Sequence, residues 1–174
     1  MTSPAAPGVM RAGLVALAAT ALAAGATAQV PGFDPAPILA CLDDPVRDES
    51  CVGAGALACM AQGSGGTDRL TECHQAELAW WEGLLQQEGA AMLQAQAGVD
   101  ADLATLPRFA ERPAGAPLLQ AVLESFADWR ESLCAYEALQ FWSTDGEAFT
   151  HAECRMRLTG DMVLTLRRIA AGGG

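Results

Sequence analysis

Six cysteines are the residues in this sequence best suited to chemistry: Cys41, Cys51, Cys59, Cys73, Cys134 and Cys154. With His74 and His151 they offer ligands for zinc, and a close pair of thiols would suit redox exchange. Both kinds of site usually show closely spaced cysteines such as C-x-x-C, and the sequence contains no such pair. An even number of cysteines in an exported chain instead predicts three disulfides, with no metal and no cofactor.

The pairing of the six cysteines is open, because six allow 15 connectivities. Disulfides that join helix ends across short loops favour Cys41–Cys51, Cys59–Cys73 and Cys134–Cys154. Each such bond would contribute roughly 3 kcal/mol in the chain-entropy account.

No set of residues indicates catalysis. Cys73 and His74 are adjacent, so on a helix their side chains point about 100° apart. Glu124, Glu131 and Glu137 lie on the polar side of an amphipathic segment, where solvated charges are expected in preference to a general acid and base. The sequence therefore predicts that the protein is not an enzyme, with an enzyme acting on cell-wall glycan as a minor alternative.

The four tryptophans divide into two pairs. Trp81 and Trp129 lie on apolar helical stripes, and we interpret both as core residues. Trp80 and Trp142 lie off these stripes and are candidates for contact with a partner protein.

The first 28 residues resemble a secretory signal peptide. Arg11 precedes a run of small and apolar residues at positions 13–25, and Ala26-Thr27-Ala28 fits a cleavage site. We expect cleavage after Ala28, a single domain over residues 29–174 and a periplasmic location. A retained membrane anchor is the main alternative, whereas a lipoprotein anchored at Cys41 is disfavoured by the prolines that separate this cysteine from the apolar run.

The chain is strongly acidic. Ten Lys and Arg residues, all of them Arg, face 21 Asp and Glu, which gives a net charge of −11. Loss of Arg11 with the leader removes one positive charge and would change −11 to −12. Such a charge argues against nucleic acid and anionic membranes and favours a basic protein partner, although acidity alone serves solubility equally well.

Capping signals and apolar periodicity predict helices throughout. Asp34-Pro35 begins a short helix to about Leu42, and Asp44-Pro45 begins a second to about Gln62. Thr67 is expected to cap a long third helix, which extends to position 97 and, past Gly98, towards 106. Its apolar stripe consists of Leu78, Trp81, Leu85 and Met92, with Gly89 in the same register.

Two more long helices follow the proline-rich loop at 107–117. The fourth has an unbroken apolar seam and ends by Trp142; the seam is Leu119, Val122, Phe126, Trp129, Leu133 and Tyr136. Thr144 and Glu147 fit a capping box for the last helix, which directs Leu158, Met162, Leu166 and Ile169 to the core. The expected fold is all-α: a disulfide-stapled up-down bundle of three long helices plus a short N-terminal helical hairpin.

The spacing of these residues resembles that of the LprI-type lysozyme-inhibitor family, over about residues 51–166. The pattern is Cys59 and Cys73, Trp81-Glu82, Leu85-Gln86, then Trp129-Arg130-Glu131 before Cys134, and Cys154 before Leu158-Thr159. The chain departs from it at Gly89, where a Tyr is usual, at Met162, where an Arg is usual, and over residues 123–126. The resemblance implies a small helical exported protein.

Arg130 in this pattern is expected to be structural. Its guanidinium is predicted to form an ion pair with Glu77 or Glu82 on the facing helix.

The resemblance also implies a function. We expect a periplasmic binding protein that inhibits lysozyme-type muramidases by covering their cleft with an acidic surface. The alternative is an envelope protein-interaction module with another partner.

Overall fold

The computed structural model describes residues 32–44 and 51–172, and all the regular structure in those ranges is helical. The α-helices are α1 (Ala36–Leu42), α2 (Ala54–Ala61), α3 (Gly66–Ala104), α4 (Gly115–Ala138) and α5 (Gly146–Gly172). Short 3-10 turns at Pro107–Phe109 and Leu139–Phe141 join α3 to α4 and α4 to α5. The predicted bundle of three long helices with a small N-terminal helical pair is confirmed.

The helix α3 is the spine of the molecule. Its 39 residues span about 58 Å at 1.5 Å per residue. It packs most extensively against α5 and also contacts α2 and α4, while α1 packs on α2. No helix within the described ranges is long and apolar enough to cross a membrane.

The disulfides are Cys41–Cys51, Cys59–Cys73 and Cys134–Cys154. This is the pairing that short loops favour. The bond from Cys59 to Cys73 joins α2 to α3, and the bond from Cys134 to Cys154 joins α4 to α5. The bond from Cys41 to Cys51 spans the connection from α1 to α2. Three of the four connections between the five helices are thus closed covalently, and the one from α3 to α4 is not.

The core lies between the N-terminal pair, α3 and α5. Its buried residues are Ile38, Ala56, Cys59, Cys73, Leu78, Trp81, Met156 and Val163. The smaller cluster of Phe126, Cys134, Cys154 and Leu158 joins α4 to α5. Gly160 lets α5 approach closely, because a Cβ there would lie 2.6 Å from Val52 and 3.2 Å from Trp81.

Several predicted helix boundaries are wrong. The start of the second predicted helix lies partly at 45–50, outside the described residues. From Cys51 onward the helix is delayed to Ala54, because Gly53 has a left-handed φ of 96° that no helix interior accommodates. Thr67 is not a cap: α3 begins one residue earlier, at Gly66.

The capping box before α5 is shifted by one residue. The Glu147 carboxylate accepts the N–H of Ser143 at 3.1 Å rather than that of Thr144. The Thr144 hydroxyl accepts the N–H of Gly146 at 3.2 Å. The backbone N–H groups of Ser143 and Gly146 are therefore both hydrogen-bonded to side chains.

The helix α2 receives its N-terminal cap from α3. Its own N-cap residue is Gly53, which has no side chain to accept a hydrogen bond. The fully buried Glu77 instead accepts the N–H groups of Gly53 and Ala56, each at 2.6 Å. The same carboxylate accepts the indole N–H of Trp81 at 2.8 Å. One buried carboxylate therefore accepts the backbone N–H groups at the start of α2 and also holds the side chain of Trp81, the largest in the core, in place.

The helix α4 is capped in the same way from the other end of α3. The Asp100 carboxylate accepts the N–H of Ala116 at 2.8 Å, the Gln96 amide at 2.9 Å and the Arg112 guanidinium at 3.0 Å. The N–H groups of Ala116 and then Gly115 are the main causes that hold the pKa of Asp100 well below its ordinary value.

Replacing Glu77 with Ala should lower the stability of the folded protein. The substitution leaves two backbone N–H groups and the Trp81 indole unpaired in the core, so we expect a loss of about 3 kcal/mol in the free energy of unfolding. Urea denaturation of the oxidised protein measures it. Glu72→Ala, an exposed position on the same helix, is the matched control, and equal midpoints for the two variants would refute the assignment.

Replacing Asp100 with Asn should give a pH-dependent loss of stability. Because the pKa of Asp100 is lowered by folding, its ionisation stabilises the native state above the unfolded value of 3.8 and ceases to do so as pH falls. The gap between wild type and Asp100→Asn should be constant above about pH 5 and narrow as the pH falls through 4. Urea midpoints at pH 7, 5 and 3 test this; a gap that does not change with pH contradicts it.

Candidate functional site

Three residues of the cysteine-tryptophan pattern meet where α3, α4 and α5 pack together. Arg130 of α4 places its Nη1 atom 3.1 Å from the Glu82 carboxylate of α3. The same nitrogen donates a hydrogen bond of 2.6 Å to the Thr159 hydroxyl of α5. Thr159 is fully buried and donates in turn to the carbonyl of Arg155 at 2.7 Å. We call Glu82, Arg130 and Thr159 the three-helix brace.

A second arginine extends the brace along α5. Arg155 lies 3.2 Å from the Glu82 oxygen that Arg130 also contacts, and its Nε lies 3.4 Å from Glu131. His151 lies 3.2 Å from the other oxygen of Glu131. Glu82 is therefore held between two arginines and Glu131 between Arg155 and His151, an arrangement that ties α3, α4 and α5 together. Among the described residues, no group of His, Cys, Asp and Glu is arranged to hold a metal ion.

The partner of Arg130 is Glu82, as one of the two alternatives predicted, and not Glu77. Glu77 lies one turn nearer the start of α3 and is occupied by the α2 backbone and Trp81. The Arg130 guanidinium also lies over the Phe126 ring, at 5.7 Å from its centroid. Its side chain is only 11% exposed, so the residue serves the core.

A groove runs between α3 and α4 beside the brace. Its volume is about 350 Å³, and its walls are mostly apolar. Glu82 and Arg130 line it together with Leu85, Gln86, Gly89 and Phe126. At Gly89 the two helices approach closely, because a Cβ there would lie 3.3 Å from the Leu123 side chain of α4. Glu82, Leu85, Gln86 and Arg130 of the cysteine-tryptophan pattern therefore all line this groove.

The interpretation of Trp129 as a core residue is wrong. The side chain is 52% exposed, and Val122 and Tyr136 of the same predicted seam are also exposed. The packed face of α4 instead contains Leu123, Phe126, Arg130, Cys134 and Ala138, and is rotated from the predicted seam. Arg130 must reach Glu82 and Cys134 must reach Cys154, and these constraints turn Trp129 outward.

The prediction for the last helix is partly wrong. Leu158 and Leu166 are buried and Met162 is partly buried, but Ile169 is 58% exposed. It lies in the last turns of α5, three residues beyond the last buried residue, Leu166.

The two tryptophans expected to contact a partner differ in exposure. Trp80 is partly buried and packs edge-on against Trp81, with centroids 4.6 Å apart. Trp142 is 67% exposed and lines a hollow at the turn between α4 and α5, with Glu147 and His151. Of the two, only Trp142 offers a wide ring face to solvent.

The exposed surface carries uncompensated negative charge. Arginines that lie within ion-pair distance of a carboxylate are Arg69, Arg112, Arg130, Arg155, Arg157 and Arg167. Exposed acids for which the described residues supply no basic partner are Asp34, Asp43, Asp68, Asp102, Glu111, Glu124, Asp128, Asp145 and Glu153. Six arginines are thus paired with carboxylates, whereas these exposed acids have no basic partner among the described residues; the exposed Arg108 lies over the Phe109 ring.

Replacing Arg130 with Ala should destabilise the bundle. Thr159 loses its donor and Glu82 loses one of its two cations, so we expect the free energy of unfolding to fall by about 2 kcal/mol. Thermal and urea denaturation measure the change. Arg157→Ala removes an exposed ion pair to Glu137 and should cost below about 1 kcal/mol. A melting temperature for Arg130→Ala equal to that of wild type would contradict the structural role.

Comparison with known proteins places this arrangement in a family. Over 150 residues the chain is 28% identical to a protein of Rhodobacter capsulatus named as an uncharacterized 17.7 kDa protein in the puhA 5' region; the match covers 83% of this chain and 90% of that protein. No solved structure matches the chain. Residues 59–166 match the family described as Lysozyme inhibitor LprI, a family of inhibitors with a protein partner and not of enzymes. The chain therefore belongs to the LprI lysozyme-inhibitor family.

Proposed function

We propose that the protein is exported to the periplasm, is cleaved after Ala28 and inhibits a lysozyme-type muramidase by covering its cleft. Family membership supports inhibition, and three disulfides are typical of an extracytoplasmic protein. The observation that carries the proposal is the surface charge. Exposed carboxylates without a basic partner attract a basic enzyme, and six of the arginines are already paired with other carboxylates of the protein.

Binding by occlusion needs a rigid body rather than a reactive group. The brace, the carboxylate caps on α2 and α4 and the disulfides fix the five helices relative to one another. A preorganised surface loses little conformational entropy on binding, so more of the contact energy becomes affinity. Inhibition then needs no covalent step and no cofactor.

The proposal predicts salt-sensitive inhibition. The protein is expressed with residues 1–28 in place, purified from the periplasm in oxidised form and titrated into a basic c-type lysozyme. Hydrolysis of a soluble chitooligosaccharide is the readout, because such a substrate is uncharged and its own binding is insensitive to salt. We expect inhibition that saturates at one inhibitor per enzyme and weakens between about 0.01 M and 0.15 M salt, where the Debye length falls from about 30 to about 8 Å.

The control for charge alone is an unrelated acidic protein of similar size and net charge. Equal inhibition by this control would show that acidity without a specific surface is sufficient, and would contradict the proposal. Full hydrolysis at both salt concentrations, with the protein folded and in excess, would also refute it.

A further inference from the structure

The outer face of α4 presents an ordered row of apolar side chains to solvent. Val122, Trp129 and Tyr136 are spaced by seven residues, and Leu118 lies one turn before them. All four are at least half exposed. From Val122 to Tyr136 the row extends about 21 Å along the helix. Met162 of α5 joins it beside Trp129. We call these five residues the α4 outer face.

This row is half of an apolar seam whose other half is packed. Leu119, Phe126 and Leu133 alternate with it in sequence and are buried or partly buried. The helix is therefore apolar over a wider arc than its own bundle covers. The chain has a single Tyr and four Trp, and the α4 outer face displays that Tyr and one Trp, the residue types that most often anchor protein interfaces.

The charges that border the α4 outer face are mainly acidic. Glu124 and Asp128 lie beside it on α4, exposed and without a basic partner among the described residues. Arg130, the only basic residue of α4, is turned inward to Glu82.

The α5 side of the face has charges of both signs. Arg157 is paired with Glu137, and Arg168 donates to the Thr165 hydroxyl at 3.1 Å. Asp161 is also exposed there. The unpaired carboxylates of α4 form a row beside Trp129: Asp128 directly precedes it in sequence, and Glu124 lies one turn before Asp128.

We propose that the α4 outer face is the surface with which the protein docks on its basic muramidase, with Trp129 as the central anchor and Glu124 and Asp128 as the charged rim. This inference rests on the proposed function and assigns it a contact surface. A partner with an apolar patch bordered by Arg or Lys is complementary in both respects. A second copy of the chain is a poorer fit, because antiparallel pairing of two α4 helices brings the acidic rims of two chains of net charge −11 together.

Binding of variants to immobilised c-type lysozyme tests the surface. Trp129→Ala should weaken the affinity about tenfold or more, mostly through faster dissociation. Asp128→Arg should slow association several-fold at low salt. Asp102→Arg, in the last turn of α3, makes the same change in net charge away from the face and should have a distinctly smaller effect. Leu57→Ala, an exposed apolar position on α2, is the control for Trp129→Ala and should bind as wild type does.

The remaining outcomes decide between surfaces. Tyr136→Ser removes a ring that is 68% exposed, so this variant is a second test of the face should Trp129→Ala misfold. Normal binding by both variants would overturn the α4 assignment and leave the inhibitor function intact. Loss of binding in Trp142→Ala alone would move the contact to the turn between α4 and α5. A dimer in light scattering that Trp129→Ala dissociates would show that a second copy occupies the face and would overturn the proposal. Absence of any binding by wild type would refute the proposed function itself.

Discussion

The structure depends on two carboxylates of α3 that cap the helices on either side of it. Glu77 closes the start of α2 and Asp100 closes the start of α4, because Gly53 and Ala114 stand at the N-cap positions and have no acceptor of their own. Backbone N–H groups at a helix start attract anions by hydrogen bonding and by the helix dipole. A helix end is thereby tied to a side chain far away in sequence, so the caps are tertiary contacts. The helix α3 thus packs against α2 and α4 and also supplies the side chains that cap their first turns.

The three-helix brace continues the same logic in the centre of the bundle. Arg130 contacts both Glu82 and Thr159, so one side chain fixes the position of α4 relative to both α3 and α5. Holding this arginine inward fixes the rotation of α4 about its own axis. The same rotation turns Trp129 and Tyr136 to solvent, and Glu124 and Asp128 on the same helix have no basic partner among the described residues. A core interaction thus determines which side chains the protein displays, and the stability of the fold and its recognition surface have one physical origin.

Much of the fold follows from sequence because its signals are local. Apolar periodicity gives the three long helices, and short cysteine spacings favour the observed pairing. The rotation of α4 does not follow, since its apolar residues cover two adjacent faces and only tertiary partners decide between them. The sequence leaves Glu77 and Glu82 as alternative partners of Arg130, and the choice of Glu82, with its consequence for Trp129, follows only from the packing of the three helices. The burial of Glu77 is indicated by the sequence, because this acid lies one turn before Trp81 on an apolar stripe. Gly53, at the start of α2, has no side chain that could cap the helix, so a cap from elsewhere is needed. Which surface acids lack a basic partner does not follow from the sequence, because an ion pair depends on the distance between two side chains in the folded protein.

The disulfides join each cysteine to the next one along the chain, the first to the second, the third to the fourth and the fifth to the sixth. A polypeptide that enters an oxidising space from its N-terminus exposes its thiols in this order. An oxidase that couples each newly arrived thiol to the unpaired one before it will produce only native bonds. For a chain exported as we propose, an oxidant therefore suffices to form the native pairing, and no isomerase is needed to rearrange it.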